Sequence, residues 1–147
     1  DYKRRALIII SDGDDRGSTH SEQQMIELLR RSEVQIYAVG FINNLTDQPE
    51  FEGQPSRREK AQSFLTRLAR ETGGKVYFPG SIEELPAIAA DISGELRTQY
   101  LITYAPDEEG SAGNDRFKNI KVVVSDGANR EKRTAITRNG RTASERP

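Results

Sequence analysis

A chain of 147 residues is long enough for one domain with a sizeable core, and two domains would be cramped. Its formal net charge of −1 gives the molecule as a whole no electrostatic attraction to nucleic acid or an anionic membrane. The absence of cysteine excludes disulfides, thiolate metal sites and cysteine nucleophiles, and leaves the compartment open.

No apolar run is long enough for a membrane span or a signal-peptide core. The chain opens on "DYKRRALIII", directly at a strand, which predicts a piece excised from a longer protein. Ala6, Leu7, Ile8, Ile9 and Ile10 form a continuous aliphatic run that reads as a strand buried on both faces. An acidic loop, Ser11-Asp12-Gly13-Asp14-Asp15, follows. Thr19 and Glu22 then have capping-box spacing, with Ser21 a competing N-cap, and Met25, Ile26, Leu28 and Leu29 give a helical stripe. Residues 34–41, "VQIYAVGF", are a second apolar strand, so the first three elements predict a βαβ unit with parallel strands.

The polar stretch from Ile42 to Glu59 contains Pro49 and Pro55 and is long for a compact domain. Ala61, Phe64, Leu65, Leu68 and Ala69 mark a second helix, with Gly73-Gly74 as its left-handed stop. Residues 75–78, "KVYF", are a short third strand. Ser81 and Glu84 have capping-box spacing, Pro86 suits a first helical turn, and Ile88, Ala89, Ile92 and Leu96 form the stripe of a third helix.

The pattern changes after residue 97. Residues 98–106, "TQYLITYAP", read as a strand. "FKNIKVVVS" alternates with Ile120, Val122 and Val124 on one face, Asp126-Gly127 signals a tight turn, and "REKRTAIT" offers a last strand. The expected organisation is an α/β unit over 1–97, an antiparallel β extension over 98–137 and a disordered basic tail over 138–147. Tyr37, Tyr77, Phe78, Tyr100 and Tyr104 sit at strand positions and are expected to pack. His20, the one histidine, falls at a helix start and reads as a surface residue. Ser11 has no glycine-flanked elbow, so nucleophilic catalysis has no support there.

Three chemistries compete for the acidic loop. As a calcium loop opening at Asp12, it has Asp14 third and Gly17 sixth, but Arg16 takes a ligand position and Gln23 stands where a bidentate Glu is needed. As a phosphoryl-transfer site, Asp12 and Asp14 resemble the Asp-x-Asp of haloacid-dehalogenase-type phosphatases, in which the first Asp attacks phosphorus and the second works as acid and base. Arg16 stands where that family has Thr or Val, and no later strand ends in the paired acids that would hold magnesium.

The third reading covers residues 4 to about 137. "RRALIIISDGDDRGSTHS", "VQIYAVGF", "LARETGG", an aromatic strand, a Ser-x-x-Glu-Leu helix start and "LRTQYLITYAP" follow one another in an order that resembles the second half of a von Willebrand factor A (VWA) domain. More narrowly, the chain is similar to the bacterial VWFA-related proteins best known from acidobacteria. The resemblance implies a doubly wound, Rossmann-like α/β sheet, truncated on its N-terminal side, that binds a protein partner at the carboxyl ends of its strands without catalysis. It also implies a secreted or periplasmic location.

In that family a metal-ion-dependent adhesion site holds a divalent cation, usually magnesium, on an Asp-x-Ser-x-Ser loop, a Thr and the Asp of a Ser/Thr-Asp-Gly loop. Asp12 is the one position here that matches, and no Asp-x-Ser-x-Ser is present. The expectation is therefore no tightly bound cofactor in this chain, and a magnesium ion in a full-length parent with Asp12 as one ligand. Asp14 and Asp15 are expected to be solvated. The strand that would flank residues 6–10 in a complete domain is absent, which predicts a homodimer through the edge made by Leu7, Ile8, Ile9 and Ile10.

Overall fold

The computed structural model describes residues 5–15, 17–102, 117–126 and 132–142. The chain is mixed α/β, with a three-stranded parallel sheet and a small antiparallel pair. β1 (Arg5–Ser11), α1 (Glu22–Arg31), β2 (Val34–Gly40), α2 (Arg57–Thr72), β3 (Val76–Tyr77) and α3 (Leu85–Arg97) follow in order, with a 3₁₀ turn at Ile82–Glu84 before α3. The sheet order is β1-β2-β3, and all of β1 pairs in parallel with β2, from Arg5 opposite Val34 to Ser11 opposite Gly40.

Side chains alternate across a strand, so β2 faces two layers at once. Ile36 packs with Ile26 of α1 and Leu68 of α2, and Ala38 packs with Ala61 and Leu65 of α2. Tyr37 and Val39 pack instead with Ile88 and Ile92 of α3. β2 is buried from Ile36 to Gly40 and is the centre of the molecule.

β1 differs from the expectation of burial on both faces. Leu7, Ile8 and Ile10 are 48, 50 and 62% exposed. The physical reason is position. Among the described residues β1 is the last strand of the sheet, and its residues opposite Tyr37 and Val39 lie on the α3 face, where α3 packs on β2 and β3.

Local signals explain the helix boundaries. α1 takes Ser21 as N-cap, with its hydroxyl accepting from Gln24 N at 3.2 Å and Gln24 Oε1 accepting from Ser21 N at 2.9 Å, so the Thr19–Glu22 alternative is not used. Ser56 and Glu59 make the same reciprocal pair at the start of α2. α2 ends at Gly73, whose φ of 74° is the left-handed conformation that glycine adopts without steric cost. Gly74 has a different role, because a Cβ there would overlap the Ile36 carbonyl oxygen of β2. At α3, Ser81 N donates to Glu84 Oε1 at 3.1 Å, and the 3₁₀ turn leads into a helix with Pro86 in its first turn.

The C-terminal region departs further from the expected strands. Thr98 caps α3, residues 99–102 are not in a strand, and the rest of the predicted strand at 98–106, Tyr104 included, lies outside the described residues. Tyr100 does not pack; it is 92% exposed. The observed pair is β4 (Phe117–Asn119) with β5 (Gly140–Thr142), antiparallel, with Lys118 opposite Arg141. β5 therefore falls within the stretch expected as a disordered tail, and residues 132–137 of the predicted last strand form none. Gly140 makes the pairing possible, since a Cβ there would overlap the Lys118 carbonyl oxygen and crowd the Phe117 ring.

Arginines on both sides fasten the pair to the end of α1. Arg30 of α1 lies 4.2 Å over the Phe117 ring and bonds Glu71 of α2 through Nε at 2.9 Å. Arg138 donates to the Ser32 carbonyl at 3.0 Å, and Arg141 bonds Glu33 at 3.1 Å.

Candidate functional site

In an open parallel sheet the carboxyl ends of the strands are where loops carry ligands. Here that edge presents the loop after β1, the segment after β2 and the segment after β3. Phe41 N donates to the Ser11 carbonyl at 3.0 Å and extends the β1–β2 pairing to the start of the loop.

The β1 loop is ordered by its own short polar side chains. Ser11 Oγ accepts from Gly13 N at 3.0 Å, and Asp12 Oδ1 accepts from Asp14 N at 3.2 Å. Asp15 Oδ1 accepts from Gly17 N at 3.1 Å and Ser18 N at 2.9 Å. The Ser18 backbone bond, then the Ser18 hydroxyl and the Gly17 amide, hold the Asp15 carboxyl below the usual carboxylate range. Gly13 has φ of 72° and lies close against α2. A Cβ at that position would sit 3.1 Å from both Ala61 Cβ and Leu65 Cδ1.

The three acids thus have three different environments. Asp12 is exposed. Asp15 is exposed and engaged with its own loop. Asp14 was expected to be solvated, but its side chain is only 12% exposed and forms an ion pair with Arg57 at the start of α2. Both carboxylate oxygens are engaged, Oδ1 by Arg57 Nε at 3.3 Å and Oδ2 by the guanidinium's terminal nitrogen. The Asp14 hydrogen bonds and charge raise the Arg57 pKa above its ordinary value.

Arg57 and its neighbour Arg58 were not picked out from the sequence. Arg58 binds the segment after β2, donating to the carbonyls of Asn43 at 2.8 Å and Leu45 at 2.9 Å and pairing with Asp47 at 2.8 Å. Asn43 Nδ2 in turn donates to the Pro79 and Gly80 carbonyls, each at 3.2 Å, which ties this segment to the one after β3. A shallow groove between these two segments is lined by Phe41, Asn43, Asn44, Gly80, Ser81 and Ile82. A larger hollow lies elsewhere, between the outer face of α2 and Asn139.

His20 is exposed and contacts Thr19 Oγ1 at 3.1 Å. What the loop offers a cation is the exposed carboxylate of Asp12, and beside it that of Asp15, whose Oδ1 already accepts two loop amides, since Arg57 holds Asp14. Among the described residues no group of three or more His, Cys, Asp or Glu side chains could hold a metal ion.

No helix among the described residues is long and apolar enough to cross a membrane. No protein-family model matches the chain, and no curated protein does. Among solved structures, the chain is similar to an uncharacterized membrane-spanning protein from Vibrio fischeri, at 24% identity and a TM-score of 0.49. That match covers 63% of this chain and 47% of the Vibrio fischeri chain, so less than half of the latter's length is represented here.

Proposed function

We propose that the chain is the carboxyl-terminal half of a doubly wound, VWA-like domain that binds a protein partner without catalysis. The observation that carries this reading is the contrast within the β1 loop. Asp12 of the Ser-Asp-Gly stretch is exposed at the carboxyl edge of a parallel sheet, while Asp14 is consumed by Arg57. An exposed carboxylate on an ordered loop suits one ligand position of a cation site whose other ligands come from outside this chain. The same contrast weighs against the alternative of a phosphatase-like hydrolase using Asp12 and Asp14. An acid/base Asp must exchange protons with the substrate, and both oxygens of Asp14 are held by a guanidinium.

The reading extends to self-association through a second copy. The outer edge of β1 carries Leu7, Ile8 and Ile10 half exposed, with no proline to block pairing. Antiparallel pairing about Ile8 would set Ala6 opposite Ile10 and Leu7 opposite Ile9 of the other copy, with each face continuing across the junction.

The test is a magnesium titration with a parallel assay of aryl-phosphate hydrolysis. The chain alone is expected to bind magnesium no more tightly than millimolar and to release no phosphate. In any longer chain that supplies the amino-terminal half, chelator-sensitive capture of a purified protein partner is expected, and lost with Asp12→Ala. Magnesium-dependent phosphate release that disappears with Asp12→Asn would establish the hydrolase instead.

A further inference from the structure

The two arginines that open α2 hold two different loops. Arg57 grips Asp14 in the loop after β1, and Arg58 grips the carbonyls of Asn43 and Leu45 and the carboxylate of Asp47 after β2. They are consecutive residues in one helical turn, and that turn is fixed at its start by the Ser56–Glu59 capping box, with Ser56 buried. Further contacts reinforce each grip. Gly13 lies against Ala61 and Leu65 one to two turns along α2, and Arg58 N donates to the Thr46 carbonyl at 3.3 Å. Arg58 Nε is buried, and among the described residues it has no hydrogen-bond partner.

We propose that Arg57 and Arg58 are positioning residues that couple the two loops, so that the carboxyl edge of the sheet moves or stays still as one unit with the first turn of α2. A guanidinium spans both oxygens of a carboxylate at fixed geometry, which a lysine ammonium does not. Anchored in one turn, the two forks give the loops a shared hinge. Loosening one prong shifts that turn and therefore reaches the other loop. The coupling needs no bound metal and does not depend on the partner-binding reading above.

Amide hydrogen exchange on the chain tests this, with four reporters. Gly13 N and Asp14 N bond within the first loop, and Leu45 N and Gln48 N bond within the second. Arg57→Met is expected to speed exchange at Gly13 and Asp14 about fivefold or more, and by a smaller factor at Leu45 and Gln48. Arg58→Met should give the mirror-image pattern. Protection of the β2 amides from Ile36 to Val39 should stay as in the wild type in both. Arg57→Lys should fall between wild type and Arg57→Met, because one ammonium cannot replace the fork. Acceleration confined to the loop each arginine touches, or none, overturns the proposal. Should Arg58→Met fail to fold, Asp47→Asn weakens the same prong, and acceleration at Gly13 and Asp14 in that variant decides.

Discussion

In β2, Ile36, Tyr37, Ala38 and Val39 are all buried, whereas in β1, which pairs with it residue for residue, Leu7, Ile8 and Ile10 stay about half exposed. The two strands are of equal length and similarly aliphatic. The difference lies in the number of neighbours. β2 has a strand on each side and helices on both faces, from α1 and α2 at Ile36 and from α3 at Tyr37 and Val39. Among the described residues β1 has one strand beside it and contributes only Ile9 to a core cluster, the one formed with α1 and α2. An aliphatic run is therefore a statement about strand formation, and burial is a statement about what the rest of the molecule places around it.

The strongest way to break this comparison is to remove the same kind of atoms from each strand. Ile36→Ala should destabilise the fold by about 2–5 kcal/mol, because it leaves a cavity between α1, α2 and the sheet. Ile10→Ala should cost less than about 1 kcal/mol, since most of that side chain is already in water in a single copy. Urea denaturation at two protein concentrations measures both. A large cost for Ile10→Ala that grows with concentration would show that the β1 edge is covered by association, which sharpens the contrast. A large cost independent of concentration would show coverage within one copy and end it.

The second effect is on assembly. Completing the burial of a half-exposed aliphatic side chain contributes at most about 1–2 kcal/mol, and each recovered backbone hydrogen bond about 0.5–1.5 kcal/mol. The wild-type chain is accordingly expected to self-associate at low micromolar concentration by light scattering. Ile8→Lys, at the centre of the edge strand, should return it to a monomer while leaving the thermal transition of the dilute protein nearly unchanged. A wild-type monomer whose Leu7 to Ile10 amides are protected from exchange would mean that the edge is already satisfied without a second copy.

The order of elements from β1 to α3 was legible in the sequence because each has a local signature: an aliphatic run, a helical stripe, or a cap. The start of α2 is the exception: the stretch Ile42 to Glu59, read as a polar loop, contains the Ser56–Glu59 capping box that fixes where α2 begins. β5 was not legible. Gly-Arg-Thr has no alternating apolar pattern, and it pairs because a glycine permits close approach and because Arg138 and Arg141 find acceptors near the end of α1. The site was legible in part. The acidic loop stood out, but nothing local separates Asp12 from Asp14. That separation comes from an arginine 43 residues away, brought beside the loop only when α2 packs on the sheet.

The smallest expected effect lies on the face of the sheet that α3 covers, where β3 offers what β1 lacks. Tyr77 of β3 donates its hydroxyl to Asp91 Oδ2 of α3 at 2.7 Å, and Lys75 Nζ reaches the same oxygen at 2.7 Å and Glu95 Oε1 at 3.4 Å. Burial first, and the Asp91 hydrogen bond second, push the Tyr77 phenol up to about 12 from 10.0. A phenol whose pKa is higher in the folded than in the unfolded state contributes its full stability below pH 10, and that contribution is lost as pH rises from 10 toward 12. The difference in alkaline tyrosinate absorbance between the wild type and Tyr77→Phe isolates this titration from that of Tyr37, which burial also raises. Asp91→Asn should bring the Tyr77 midpoint down, because it removes the charge that opposes a phenolate, but not back to 10.0, because burial is the larger cause and remains. An unchanged midpoint in that variant would assign the shift to burial and to a hydrogen bond that the Asn amide oxygen can still accept, and none of it to charge. A wild-type midpoint near 10 would mean that α3 does not close over β3, and the covered and bare sides of the sheet would no longer differ in the way that separates β2 from β1.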